Sequence, residues 1–138
     1  MRKTRLLPLP ELRSHPELAD MRVLAEPRGP LDRTVPAQRP ITIEDLMTHR
    51  SGLAYGFTSL GSIAMAHADE PGHPLASPHA PDAWLKRLAA LPLSFPPGER
   101  FHYSHSTEVL GFLVARIEGR LLAEVLQDRI FGPLGMTD

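Results

Sequence analysis

Tyr103, Ser104 and His105 stand where the turn signal Pro96-Pro97-Gly98 gives way to a strongly periodic apolar segment, in the stretch PPGERFHYSHSTEVLGFLVARIEG. A helix mouth presents free backbone N–H groups and a partial positive charge. A phenol, a hydroxyl and an imidazole there can be held before an anionic or carbonyl-bearing substrate. A free tyrosine has a pKa of about 10, which leaves about one phenol in a thousand ionised at neutral pH. To act as a base it needs a lysine beside it to lower that value. The chain has two, Lys3 near its start and Lys86 on the polar side of a surface helix, and neither is an obvious partner. Each residue also has a plainer reading. Tyr103 can pack beneath the following helix, Ser104 can be an N-cap, and His105 can be a solvated first-turn histidine instead of a substrate contact.

The other histidines point to less chemistry. His67, His73 and His79 recur every six residues, and His102 with His105 spells HxxH. Metal-binding histidines want helical i, i+4 placement or a carboxylate as third ligand, and the first three fall in a proline-broken loop. No metal and no cofactor is expected. The chain has no cysteine, which excludes disulfides, zinc-thiolate sites and thiol catalysis. Lys plus Arg number 15 and Asp plus Glu 16, a formal charge of -1. That balance gives no reason to seek nucleic acid or an anionic membrane, so a small or neutral partner is expected. No apolar run reaches the roughly 18 residues of a membrane span. The start, MRKTRLLPLPELR, is basic, but Pro8 and Pro10 break its apolar run. It does not read as a signal peptide, and the chain as given reads as cytoplasmic.

The 138 residues amount to one domain's length. Proline concentrates in the first 40 residues and between Pro71 and Pro97, and residues 1–40 read as an extended Pro-rich connection. Thr42, Glu44 and Asp45, with Ser51-Gly52 beyond, predict a short helix over about 43–49, with Arg50 as a C-terminal cation. Residues 53–80 read as a long surface loop with one helical turn near Ile63, in which Tyr55, Phe57 and Met65 either line a cleft or are buried. Asp82 can cap a helix that places Trp84, Leu85, Leu88 and Leu91 on one face and ends at Pro92. From about Ser104 to Glu118 the set Leu110, Leu113, Val114 and Ile117 follows helical spacing, with Gly119 as its C′ residue. A last helix over about 121–130 carries Leu122, Val125, Leu126 and Ile130. No segment alternates over a strand's length, so the fold class expected is mainly helix plus loop.

Four segments in order resemble the serine β-lactamase-related family: class C β-lactamases, D-Ala-D-Ala carboxypeptidases and lactamase-like esterases. ITIEDLMTHRSGL at 41–53 is similar to the family's T-x-x-x-L-L-x-H-x-SGL helix and turn, and PLSFPPGERFHYSHS at 92–106 to its PGxxxxYSN element. EVLGFLVARIEG at 108–119 resembles the helix that follows, and IFGPLGMTD at 130–138 the I-F-x-PLGM-x-D segment. The resemblance covers most of residues 20–138. It implies the helical portion of an α/β β-lactamase/transpeptidase-like fold with the central sheet largely absent. Residues 1–138 then form one partial domain, helical from 41 onward.

The resemblance also implies a reaction, acyl transfer from an ester, lactam or D-peptide to a serine and then to water, on a small-molecule acyl substrate. Tyr103 matches the family's general-base tyrosine, Ser104 the middle of that motif, and His105 the place of the usual asparagine. That last departure favours an esterase or peptidase over a lactamase. The family's nucleophile lies in S-x-x-K, which sets the lysine one helical turn from the serine. No serine in this chain has a lysine three residues later. The family's K-T-G or H-x-G strand would fall beyond Asp138. The chain reads as an internal fragment, and as a lone polypeptide it is expected to be nearly inert, because losing the serine costs about 10⁶ in turnover. The alternative is a non-catalytic binding or interaction module derived from that fold.

Overall fold

Thr42 and Asp45 define the start of the first helix. The Thr42 hydroxyl accepts the Asp45 N–H at 3.1 Å and Asp45 Oδ2 accepts the Thr42 N–H at 2.9 Å, a reciprocal cap over α1 (Ile43–Met47). The computed structural model describes residues 16–70 and 80–136. Asp45 is buried and also accepts two bonds from the Arg39 guanidinium, at 2.6 and 2.9 Å. Burial pushes its pKa up, but Arg39 and the two Thr42 bonds outweigh burial and hold it below the ordinary 3.8. A carboxylate depressed in the folded state stabilises the fold above its unfolded pKa, and that contribution is lost as pH falls through the folded value. Urea melts taken from about pH 6 down to about pH 2 should show this loss in the wild type. Asp45→Asn should lack that component and be less stable at neutral pH by about 1–2 kcal/mol.

Residues 16–40, the described part of the expected Pro-rich connection, are more than an extended link. After a 3-10 turn at Pro16–Leu18, β1 (Arg22–Leu24) pairs antiparallel with β2 (Thr34–Pro36), with Val23 opposite Val35. Leu93 extends this small sheet on the other side of β1 through a parallel bridge to Val23, its N–H donating to the Arg22 carbonyl at 2.7 Å. Strands of three residues are too short to show a two-residue alternation, and what holds β1 is backbone pairing with a segment some seventy residues away in sequence. Met21, Val23, Leu46, Leu88, Leu93 and Val109 meet in one core beneath it.

Four further elements depart from the sequence reading. The turn expected near Ile63 is a two-turn helix, α2 (Ser62–Asp69), which buries Ile63 and His67. Helix α3 (Pro81–Ala89) starts with Pro81 at N1, where a proline loses no hydrogen bond, so Asp82 lies in its first turn and is not its cap. Asp82 instead accepts a bond from Arg116, which also binds Glu17. Trp84, Leu85 and Leu88 form the buried face as expected. Helix α4 (Ser106–Glu118) ends on Gly119 at a left-handed φ of 66°, a conformation that suits glycine. Its buried face is Ser106, Val109 and Leu113, whereas Val114 and Ile117 are exposed. The apolar stripe is wider than the face the described residues cover; α4 packs against α1 and α5 (Leu122–Leu126). Beyond α5 the backbone widens into a π-type turn, Gln127–Phe131, and Ile130 is exposed. None of the described helices is long and apolar enough to cross a membrane.

Candidate functional site

The segment leading into α4 is held against the end of α1. The His102 N–H donates to the His49 carbonyl at 2.7 Å, and the Gly98 N–H donates to the Arg50 carbonyl at 2.7 Å. The Arg50 guanidinium returns a bond to the Gly98 carbonyl, so this cation fixes the Pro-Pro-Gly turn instead of serving only as a helix-end charge. Residues 101–104 belong to no helix or strand.

Tyr103 is about half exposed, at 48%. Its ring lies 4.7 Å from that of His49 and 5.5 Å from that of Tyr55, and its carbonyl accepts the Thr58 hydroxyl at 2.9 Å. His49 holds a left-handed φ of 52°, a conformation rare for a residue with a side chain. From there its Nδ1 accepts the Ser104 N–H at 3.3 Å. The tyrosine therefore rests on a ring whose own backbone is strained, and such strain concentrates at functional positions.

Ser104 is fully buried and faces inward. Its hydroxyl bonds that of Ser106 at 2.9 Å, which in turn bonds that of Ser51 at 2.8 Å. Ser51 Oγ also accepts the Leu53 N–H at 3.2 Å. Three buried hydroxyls thus tie the turn after α1 to the start of α4, each satisfied by the next. The N-cap reading of Ser104 does not hold, because α4 begins two residues later with His105 at its cap position.

His105 is buried at 1% exposure, so it is not a solvated histidine. Its ring packs edge-on against Tyr55 at 4.1 Å and Trp84 at 5.1 Å, and stacks with His67 at 5.5 Å. Burial, and secondarily the charge of His102, push the His67 pKa down to about 4, so this ring is neutral at neutral pH. Tyr55 is buried and donates its hydroxyl to Glu108 Oε1. Burial, then the Glu108 bond and charge, raise its pKa, so Tyr55 stays a donor. Phe57 stacks on Tyr55 at 4.7 Å and is exposed, as is Met65. The cluster under Tyr103 is therefore largely aromatic, with the Glu108 carboxylate as the acceptor for Tyr55.

The HxxH pair does not converge. His102 bonds the Ser59 hydroxyl at 2.9 Å, while His105 packs in the core against Tyr55 and Trp84. No group of three potential metal ligands occurs among the described residues. His73, His79 and Lys3 lie outside them, and Lys86 is exposed on α3. The His49 ring, the serine chain and the Tyr55–Glu108 bond went unread in the sequence. The THRSGL turn was noticed only as a pattern, and nothing local says that it meets residues 103–106.

This arrangement matches known proteins along almost its whole length. The family model described as Beta-lactamase matches residues 20–138. Protein Rv1367c of Mycobacterium tuberculosis is 50% identical over 129 residues, which cover 94% of this chain and 31% of that protein. Lovastatin esterase of Penicillium rubens is 38% identical over 126 residues, covering 89% of this chain and 30% of the esterase. The solved structure of EstCE1, a hydrolase with promiscuous acyltransferase activity, superposes with a TM-score of 0.67 at 27% identity over 91% of this chain and 30% of that one. The chain thus spans about a third of the length of the curated relatives it matches. With its helices and small sheet forming part of the serine β-lactamase-like fold, the chain belongs to the Beta-lactamase family.

Proposed function

We propose that this chain supplies the tyrosine side of an acyl-transfer site that moves an acyl group from an ester to a serine and then to water. The observation that carries the reading is the setting of Tyr103. Its ring is exposed at the helix mouth and backed by His49, while the two residues after it are locked into the core. Held as the phenolate by a cation from outside these residues, Tyr103 can take the proton from a serine hydroxyl as that oxygen attacks the ester carbonyl, and hand it to the departing alcohol, which restores the phenolate. Ser104 is a positioning residue in this scheme, since its hydroxyl is spent on Ser106 and its N–H on His49. His105 shapes the floor through Tyr55 and Trp84. Relatives named as an esterase and as a hydrolase with acyltransferase activity support an ester over a lactam. The nucleophile must come from outside the residues present, because no serine here has the lysine partner its activation needs.

A segment exchange tests this. Residues 20–136 replace their counterpart in lovastatin esterase, which keeps that protein's remaining chain around them. A folded chimera that hydrolyses a chromogenic butyrate ester and is labelled by a fluorophosphonate supports the reading. A folded chimera that is labelled but turns over no ester counts against it.

A further inference from the structure

Helix α2 is anchored at few points. Its buried side chains are Ile63, which belongs to a small cluster with Leu24 and Ala54 apart from the main core, and His67. Its N-terminus has no side-chain cap, and the Ser62 hydroxyl donates to the Gly29 carbonyl at 2.8 Å. An element with few buried contacts can open while the rest of a domain stays folded.

His67 is the anchor that can change charge. Its ring is 1% exposed, and neither ring nitrogen has a hydrogen-bond partner among the described residues. Buried polar groups are rarely left so. The ring stacks on that of His105 at 5.5 Å, and His105 in turn meets Tyr55 at 4.1 Å and Trp84 at 5.1 Å. The titratable groups around it are His105 at the mouth of α4, Tyr55 with its acceptor Glu108, and His102, whose charge bears on it. On α2 itself Asp69 and then Glu70 follow, and Glu70 is paired with Arg87. No carboxylate bonds the ring among the described residues. A neutral imidazole packs in this place. A protonated one would bring a charge and two N–H donors to a site that satisfies neither.

From this we infer that His67 is an acid-sensitive latch: protonation of its ring releases α2 from the mouth of α4 while the main core stays folded. The direction follows from proton linkage. Burial, and then the His102 charge, lower the folded ring from the ordinary 6.5 to about 4. The opened helix therefore takes up the proton first. Docking is at full strength above about 6.5 and weakens as pH falls, until the docked ring itself titrates. The loss approaches tenfold per pH unit and reaches on the order of a hundredfold. Release of α2 removes His67 from beneath His105, and so one support of the ring cluster under Tyr103. The inference does not depend on the acyl-transfer reading, because it concerns opening and not turnover.

Amide hydrogen exchange of the full chain, followed by NMR from about pH 6.5 to about pH 4.5, tests it; that window lies above the folded pKa of Asp45. Protection at the amides of Ala66 to Asp69 should fall by close to tenfold per pH unit, while protection in α4 stays constant within about twofold. His67→Leu, apolar and of similar volume, should abolish the pH dependence and keep α2 protected across the window. His67→Gln, which takes up no proton, serves the same purpose should leucine disturb the packing. Protection in α2 that is independent of pH, a parallel loss in α4, or the same loss in a folded His67→Leu or His67→Gln variant each overturns the inference.

Discussion

Tyr103→Phe in the lovastatin-esterase chimera should lower kcat for ester hydrolysis by about 10²–10⁴, the range carried by a single proton-transfer group. The melting temperature should stay within a few degrees. The two expectations separate because of where the hydroxyl lies. The residue is half exposed, and its hydroxyl makes no hydrogen bond among the described residues, so phenylalanine keeps the ring contacts with His49 and Tyr55 and leaves nothing buried unsatisfied. The lost rate would then belong to chemistry and not to folding. His49→Gly serves as the control for positioning. It relieves the left-handed φ of 52° but removes the ring behind Tyr103 and the acceptor for the Ser104 N–H. A misplaced phenol should cost about 10–100-fold, with the hydroxyl still present. A Tyr103→Phe chimera with unchanged kcat and KM would remove the tyrosine from the mechanism.

Gly52→Ala should destabilise the chain by on the order of 3–5 kcal/mol, the sum of a left-handed backbone penalty and severe overpacking. The φ of Gly52 is 84°, and a Cβ there would fall 2.1 Å from the Phe95 carbonyl oxygen. That oxygen is backbone, so it cannot swing aside as a side chain would. The Gly52 carbonyl accepts the Ser94 N–H at 2.8 Å, and the preceding Ser51 is the first link in the chain of buried hydroxyls. Thermal melts of the variant should shift down by more than about 10 °C for a domain of this size. The likeness of THRSGL to a family motif thus acquires a physical reason. Serine joins the buried chain, glycine admits the Phe95 backbone, and histidine supports the tyrosine.

The helices were legible where a local signal exists. Thr42 and Asp45 form a cap because their spacing allows each to satisfy the other's N–H. Gly119 ends α4 because it adopts a φ closed to most residues. Pro92 and Trp84, Leu85 and Leu88 likewise marked the end and buried face of α3. The β1–β2 hairpin was not legible, since three-residue strands carry no period, and β1 depends on Leu93 from the far side of the core. The stripe on α4 was read as Leu110, Leu113, Val114 and Ile117, but periodicity gives an apolar arc and not the part of it that a neighbour covers.

The site divides in the same way. Residue types alone placed Tyr103, Ser104 and His105 at a helix mouth, and the pKa of a free phenol alone showed that the tyrosine needs help. Which way each side chain faces was decided only in three dimensions. Packing against neighbouring elements decides which side chains meet solvent and which the core: Tyr103 is half exposed, His102 bonds Ser59, and Ser104 and His105 are buried. Residue type and spacing set the chemistry on offer and the helix that mounts it. Tertiary structure chose, by burial against His49, Ser51, Tyr55 and Trp84, that of the three only the tyrosine is presented. Contacts across some fifty residues of chain depend on loop closure and shared packing, which no local pattern encodes.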